Sequence, residues 1–256
     1  INTTNGLASI IVAANNDAPW LSQIDFSIVV ESIFNSSAVG KDVTYRIEDV
    51  IAPDAVSALS VNPAVWTSTN NFTLSWTNPI EHSGVAGAYY QIDSESPVYV
   101  ESSEIITTDI SLPINAKSTV ALWLQDNAGN VDAANAVTIQ AMWDDIAPNS
   151  FTLVSPSTGS WLNNPDPVFE WGTATDDVAG MDHYRFELDG TPYVIPPDSN
   201  TFVIPTSLSE GAHTLLIVAV DSAGNEKEMD FGQISFSTDY TQPNIVHNQV
   251  LEGTEN

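Results

Sequence analysis

The sequence contains no cysteine, and only five of its 256 residues are basic: Lys41, Arg46, Lys117, Arg185 and Lys227. The first absence excludes disulfides, thiolate metal sites and cysteine nucleophiles, and leaves the redox compartment open. The second stands against 33 acidic residues and a formal net charge of −28. A polyanion cannot release phosphate counterions, so nucleic acid is excluded as a partner and anionic membrane repels the chain. No apolar run approaches the length of a membrane span, so direct membrane insertion is not expected. No window carries a helical stripe. No serine sits in a nucleophile-elbow context, no glycine-rich loop could cradle phosphate, and His82, His183, His213 and His247 are scattered. The chain therefore reads as non-enzymatic. It opens at Ile1 with neither methionine nor a signal-peptide pattern, which reads as a processed product or an excised fragment.

What the sequence does hold is a repeat. Asp144-Asp145-Ile146-Ala147-Pro148 recurs upstream as Asp49-Val50-Ile51-Ala52-Pro53 and, in weaker form, downstream as Asp239-Tyr240-Thr241-Gln242-Pro243, at a constant step of 95 residues. The step also maps Trp66 to Trp161, Trp76 to Trp171, and Asp126-Asn127-Ala128-Gly129-Asn130 to Asp221-Ser222-Ala223-Gly224-Asn225. Two complete units follow, 49–143 and 144–238. Residues 239–256 read as the first strand of a further unit or a strand-exchange tail. Residues 1–48 read as the back half of a divergent upstream unit, with strands expected at Ile24–Glu31 and Val43–Ile47.

Within the units the hydrophobic period is two. Phe72, Leu74 and Trp76 alternate with polar residues, as do Phe169 and Trp171, Val120, Leu122 and Leu124, and Leu215, Ile217 and Ala219. Asp189-Gly190 is a hairpin turn, since both positions tolerate positive φ. About seven short strands in such a unit suit an antiparallel sandwich of about 100 residues. These residues carry a family resemblance. Each unit resembles a fibronectin type III or bacterial immunoglobulin-like module, with Leu74-Ser75-Trp76 and Phe169-Glu170-Trp171 on the second strand. Tyr90-Gln91-Ile92 and Tyr184-Arg185-Phe186 fit the third strand, and His213 to Asp221 the sixth. The family's usual tyrosine at the start of the sixth strand is replaced by Ser118 and His213. The resemblance implies an all-β fold of tandem antiparallel β-sandwiches, and a protein of the cell surface; it does not imply one function, because this fold hosts many.

In that topology the entering segment and the loops after the second and sixth strands meet at one end of each unit. They carry Asp49, Glu81, Asp126 and Asn130 in the first unit, and Asp144, Asp145, Asp176, Asp177, Asp221 and Asn225 in the second. Converging carboxylates repel one another by about 1–4 kcal/mol per close pair at surface dielectrics. Ca²⁺, which takes six to eight hard oxygens, is the cofactor such a cluster suits, and it would stiffen each joint. The alternative is turn chemistry alone, with Asp126 and Asp221 capping their own loops and Gly129 and Gly224 supplying positive φ.

The function expected is a structural or adhesive extracellular segment: a stalk, adhesin or surface-layer scaffold. Its partners would be neighbouring repeats, other copies of the chain, or a cell-surface protein or glycan. A second reading is an accessory spacer or carbohydrate-binding module of a secreted polysaccharide-degrading enzyme. Trp123, out of phase with inward Leu122 and Leu124, would face solvent and touch glycan; Trp143 and Trp20 are further exposed candidates, while Trp66 and Trp161 would pack at the sandwich edge. A third reading is a filament built by strand exchange through residues 1–48 and 239–256. Sequons at Asn2, Asn35 and Asn71 support a secreted setting.

Overall fold

The computed structural model describes residues 24–30, 39–45, 49–101 and 106–244, the first two segments by their backbone alone. The fold is all-β, and the strands from β3 onward gather around two separate hydrophobic cores. Strands β1 (Ile24–Val30) and β2 (Val39–Tyr45) form an antiparallel hairpin. The first falls where the alternation placed it; the second begins at Val39 rather than Val43. Trp20, His247 and the sequons at Asn2 and Asn35 lie outside the described residues, as does the segment from 245 onward.

Seven strands build the first sandwich: β3 (Ser57–Asn62), β4 (Phe72–Thr77), β5 (Val85–Ile92), β6 (Val98–Glu101), β7 (Thr107–Ile110), β8 (Ala116–Asp126) and β9 (Val137–Trp143). They form a sheet of order β3-β4-β7 facing one of order β6-β5-β8-β9. Both sheets feed one core, with Phe72, Leu74, Trp76 and Ile110 from the first and Ala88, Ile92, Val120, Leu122 and Leu124 from the second. Period-two alternation produces this, because successive side chains leave a strand on opposite faces.

The second sandwich repeats the plan with two additions. Strands β10 (Leu153–Ser155), β12 (Val168–Trp171) and β15 (Thr201–Val203) form one sheet. The other runs β11-β18-β16-β13-β14, from β11 (Trp161–Leu162), β13 (Met181–Leu188), β14 (Thr191–Ile195), β16 (Gly211–Asp221) and β18 (Ile234–Thr238). Strand β11 pairs β18 in parallel, and β17 (Glu226–Glu228) folds back on β16. Asp189 and Gly190 have φ of 50° and 77°, the two-residue turn that the sequence indicated.

The equivalence along the third strand differs from the sequence alignment. Tyr90 pairs with Leu122, and Phe186 pairs with Ile217, so Phe186 answers Tyr90, and Tyr184 fills the place of Ala88. One extra residue in the second unit, ahead of Gly180, accounts for the shift. It recurs at Asp93 and Asp189. Each has positive φ, and each accepts from a β8 or β16 amide, Thr119 N–H at 2.8 Å and Thr214 N–H at 2.7 Å.

Three expectations about tryptophan are corrected. Trp123 does point away from Leu122 and Leu124, yet it is only 6% exposed. It stacks on Tyr89 of the adjacent strand, ring centroids 5.6 Å apart and planes 8° apart, and Tyr89 meets Tyr99 at 4.7 Å. The rings stand side by side across β6, β5 and β8, and Tyr89 occupies a face that a sugar would need. Gly87 allows this, since a Cβ there would lie 2.5 Å from Val100 O and 2.6 Å from the Tyr99 hydroxyl. Trp161 lies on an edge strand as expected but does not pack there; it is 72% exposed. Trp143 is half-buried against the first core.

Candidate joint sites

Each unit begins with an aspartate, Asp49 or Asp144, and Asp144 leads directly from the first sandwich into the second. Asp144 follows β9 directly and opens the strandless segment that runs to β10. Its N–H donates to Thr67 O at 3.0 Å, in the first unit. Its carboxylate belongs to the second unit, where Oδ1 accepts from Ile146 N–H at 3.0 Å and Oδ2 from Ala179 N–H at 3.0 Å. Its carbonyl accepts from the Asn225 side-chain amide at 2.9 Å. The residue is fully buried.

The loop after β12 brings Asp176, whose Oδ1 accepts from Val178 N–H at 3.0 Å and Gly180 N–H at 2.9 Å. The loop after β16 brings Asp221. Its Oδ1 accepts from Ala223 N–H and Asn225 N–H, and its Oδ2 from the Asn225 side chain at 2.8 Å. Asp144, Asp176 and Asp221 thus converge, with one oxygen from each lying within 4.8 Å of the others. In the first unit one oxygen from each of Asp49, Glu81 and Asp126 likewise lies within 4.8 Å of the others. There Asn130 donates to both Asp126 Oδ2 at 2.7 Å and Asp49 O at 3.0 Å, repeating the role of Asn225.

The two clusters reach the same shape by different lengths. Two residues separate Glu81 from Gly84 and three separate Asp176 from Gly180, and both glycines have positive φ. Glutamate's extra methylene carries its carboxylate across what the shorter loop leaves uncovered. The sequence alignment matched Glu81 with Asp176 but did not show why the residue type changes.

Two residues grouped with these by sequence lie elsewhere. Asp145 is exposed and is held by Asn115, donating its N–H to Asn115 Oδ1 at 3.2 Å and accepting from Asn115 Nδ2 at 2.7 Å. Asp177 is exposed and outside the cluster. Asn115, which clamps the joint from the first unit, was missed; only its approach to Asp145 in the fold identifies it. Asp49 and Asp126 also serve turns, accepting from Ile51 N–H and Asn130 N–H. Turn chemistry and carboxylate convergence therefore coexist in the same residues.

Burial raises the Asp144 pKa above the ordinary carboxylate range; the Ile146 and Ala179 amides oppose this, and the charges of Asp176 and Asp221 add to it. Arg185, on β13, is committed elsewhere: it grips Glu226 through a two-nitrogen fork and also holds Glu187. The donors at the cluster are all oxygens, which fits a hard cation such as Ca²⁺. A raised folded-state pKa means the native state holds that proton more tightly than the unfolded chain. The penalty for ionising Asp144 is thus complete above its folded pKa and is relieved as pH falls through it. In a chelating buffer, mild acidification should raise the melting temperature of the second sandwich, and Asp144→Asn should flatten that slope. An unchanged slope in the variant would show that Asp144 is not its source.

The sheets and joints define a tandem array of fibronectin type III-like, immunoglobulin-like sandwiches. No family model matches the sequence, and no curated protein does. Among solved structures, the chain is similar to the fibronectin(III)-like modules of Clostridium thermocellum CbhA, with 11% identity, coverage of 74% of this chain and 99% of that one, and a TM-score of 0.45. It is also similar to the FN1–FN3 domains of chicken CNTN1, with 11% identity, 84% and 77% coverage and a TM-score of 0.37. A two-domain fibronectin type III segment of chicken tenascin shows 16% identity, 71% and 97% coverage and a TM-score of 0.32.

Proposed function

We propose that the chain is a non-enzymatic spacer whose sandwiches are set in series at fixed angles, outside the cell, as part of a stalk, adhesin or surface-layer scaffold. The observation that carries this is the double attachment of Asp144: its N–H bonds to one sandwich and its carboxylate and carbonyl to the next. A joint whose first residue is bound to both sandwiches holds two bodies at one distance, which a spacer requires and a soluble binding domain does not.

Ca²⁺ is the proposed ligand of both acidic clusters. It replaces carboxylate repulsion with coordination, and millimolar free calcium suits sites of the 10⁻⁴–10⁻³ M class typical of extracellular modules. The 33 acidic residues keep such an array soluble and mutually repelling along its sides. Support for direct glycan binding through Trp123 falls away with the burial of that residue. Small-angle scattering of the full chain tests the reading. A single extended shape with a narrow distribution of dimensions is expected, tightening when calcium is added. A broad distribution, as for beads on a flexible string, would overturn it.

A further inference from the structure

The far end of the second sandwich repeats the two backbone contacts of the half-joint that the first sandwich offers to the second. Asp144 N–H donates to Thr67 O; one step on, Asp239 N–H donates to Leu162 O at 2.8 Å. Asp145 N–H donates to Asn115 Oδ1 at 3.2 Å; its counterpart, Tyr240 N–H, donates to Glu210 Oε1 at 3.1 Å. The Thr241 hydroxyl also donates to Glu210 Oε1, and the Tyr240 hydroxyl to Leu208 O at 3.2 Å. The hydrogen bond from Thr241 is the main cause holding the Glu210 carboxyl below its ordinary pKa. Asp239 therefore leaves the second unit along the path by which Asp144 leaves the first.

The cover is what differs. Asp144 and Pro148 are buried, whereas Asp239 and Pro243 are exposed. Trp66, beside Thr67, is half-buried; its counterpart Trp161, beside Leu162, is 72% exposed, and Tyr240 next to the joint is 42% exposed. An ordered backbone clamp stands here with a bare tryptophan beside it, where its counterpart in the first unit runs on into a second sandwich.

We infer that this end, formed by Trp161, Leu162, Glu210, Asp239 and Tyr240, is a docking surface for the acidic end of another sandwich of the same repeat, joined in line through residues 239–244. That partner would supply the equivalents of the Ala179 N–H for the Asp239 carboxylate and of the Asn225 amide for its carbonyl, and would cover Trp161. The inference rests on the serial-array reading above and is independent of calcium.

The test grafts a second copy of residues 150–238 behind Asn244 of the full chain, keeping the Asp239–Asn244 segment. Oxidative footprinting should show Trp161 falling to the modification rate of Trp66. Trp161 reacting at its original rate, beside a grafted unit with its own cooperative melt, would overturn the docking surface. Scattering separates the two levels. A chain longer by one unit with Trp161 still reactive removes only this inference, whereas a graft that hangs flexibly with broad dimensions also removes the array. A graft that fails to fold leaves a second measurement on the natural chain. There, Glu210→Ala should speed amide exchange at Tyr240 and Thr241 by about tenfold, the loss of a charge-assisted hydrogen bond. Unchanged exchange would show that no clamp is preformed and would overturn the proposal.

Discussion

Replacing Trp171 with alanine is expected to cost the second sandwich about 3–5 kcal/mol, while the transition of the first sandwich stays where it is. Trp171 is wholly buried and sits among Tyr184, centroids 5.5 Å apart, and Phe186 at 6.0 Å. The surrounding rings of Phe169, Phe186 and Phe236 are themselves interlocked edge to face. They cannot collapse into the space an indole leaves, so the cavity persists and its full penalty applies. A domain of this size has only about 5–15 kcal/mol in reserve, so the variant sits near the edge of folding. The indole N–H has no hydrogen-bond partner, unlike that of Trp76, which donates to Asn78 Oδ1 at 2.8 Å. Trp171→Phe should therefore be mild, under about 1.5 kcal/mol, because it keeps most ring contacts and removes a buried unpaired donor. Urea melts followed by fluorescence and circular dichroism would resolve the two transitions. If both moved together in Trp171→Ala, the two cores would not be independent.

Calcium supplies the second large effect. At a free concentration of 10 to 100 times the dissociation constant, a site present only in the folded state adds about 1.4–2.7 kcal/mol. The second sandwich should gain more than the first, since Asp144 and Asp221 are both buried whereas only Asp126 is buried in the first cluster. Asp176→Asn makes the test sharp. An asparagine oxygen can keep the Val178 and Gly180 hydrogen bonds, so the turn survives while one charge is lost. In chelator the variant should be more stable than the parent, by about 1 kcal/mol, because repulsion with Asp144 and Asp221 is relieved. In millimolar calcium it should be less stable, because a charged ligand is missing. Calorimetric melts in the two buffers would show this reversal. Equal melting temperatures for the parent with and without calcium would sink the metal proposal and leave the joint to its hydrogen bonds.

The core was legible because sandwich strands announce their inward face at every second residue. Phe72-Leu74-Trp76 and Leu215-Ile217-Ala219 point inward as alternation required. The acidic triads were legible because the repeat fixed which loops share an end. Side-chain cover was not. Trp123 obeys its phase, but phase says only which face of a sheet a residue leaves, not whether Tyr89 lies beside it there. Asn115 was invisible for a related reason, since its partner Asp145 is 30 residues away and no periodicity links them. The shifted equivalence of Tyr90 and Phe186 hid behind a single extra residue in a loop, where a constant step elsewhere absorbed it.

A joint with no slack behaves in a particular way under tension. When the two ends of the array are pulled apart, the bond from Asp144 N–H to Thr67 O and the pair between Asn115 and Asp145 resist together, and the strandless stretch up to β10 is itself pinned by Asn149 N–H to Thr175 O and by the burial of Pro148 and Phe151. Extension must come from unravelling whole sandwiches. Each one that yields releases a repeat's worth of backbone, at most about 3.3–3.6 Å for every residue. The array would hold its length at low force and then lengthen in equal steps, so the 95-residue spacing written in the sequence becomes a unit of mechanical travel.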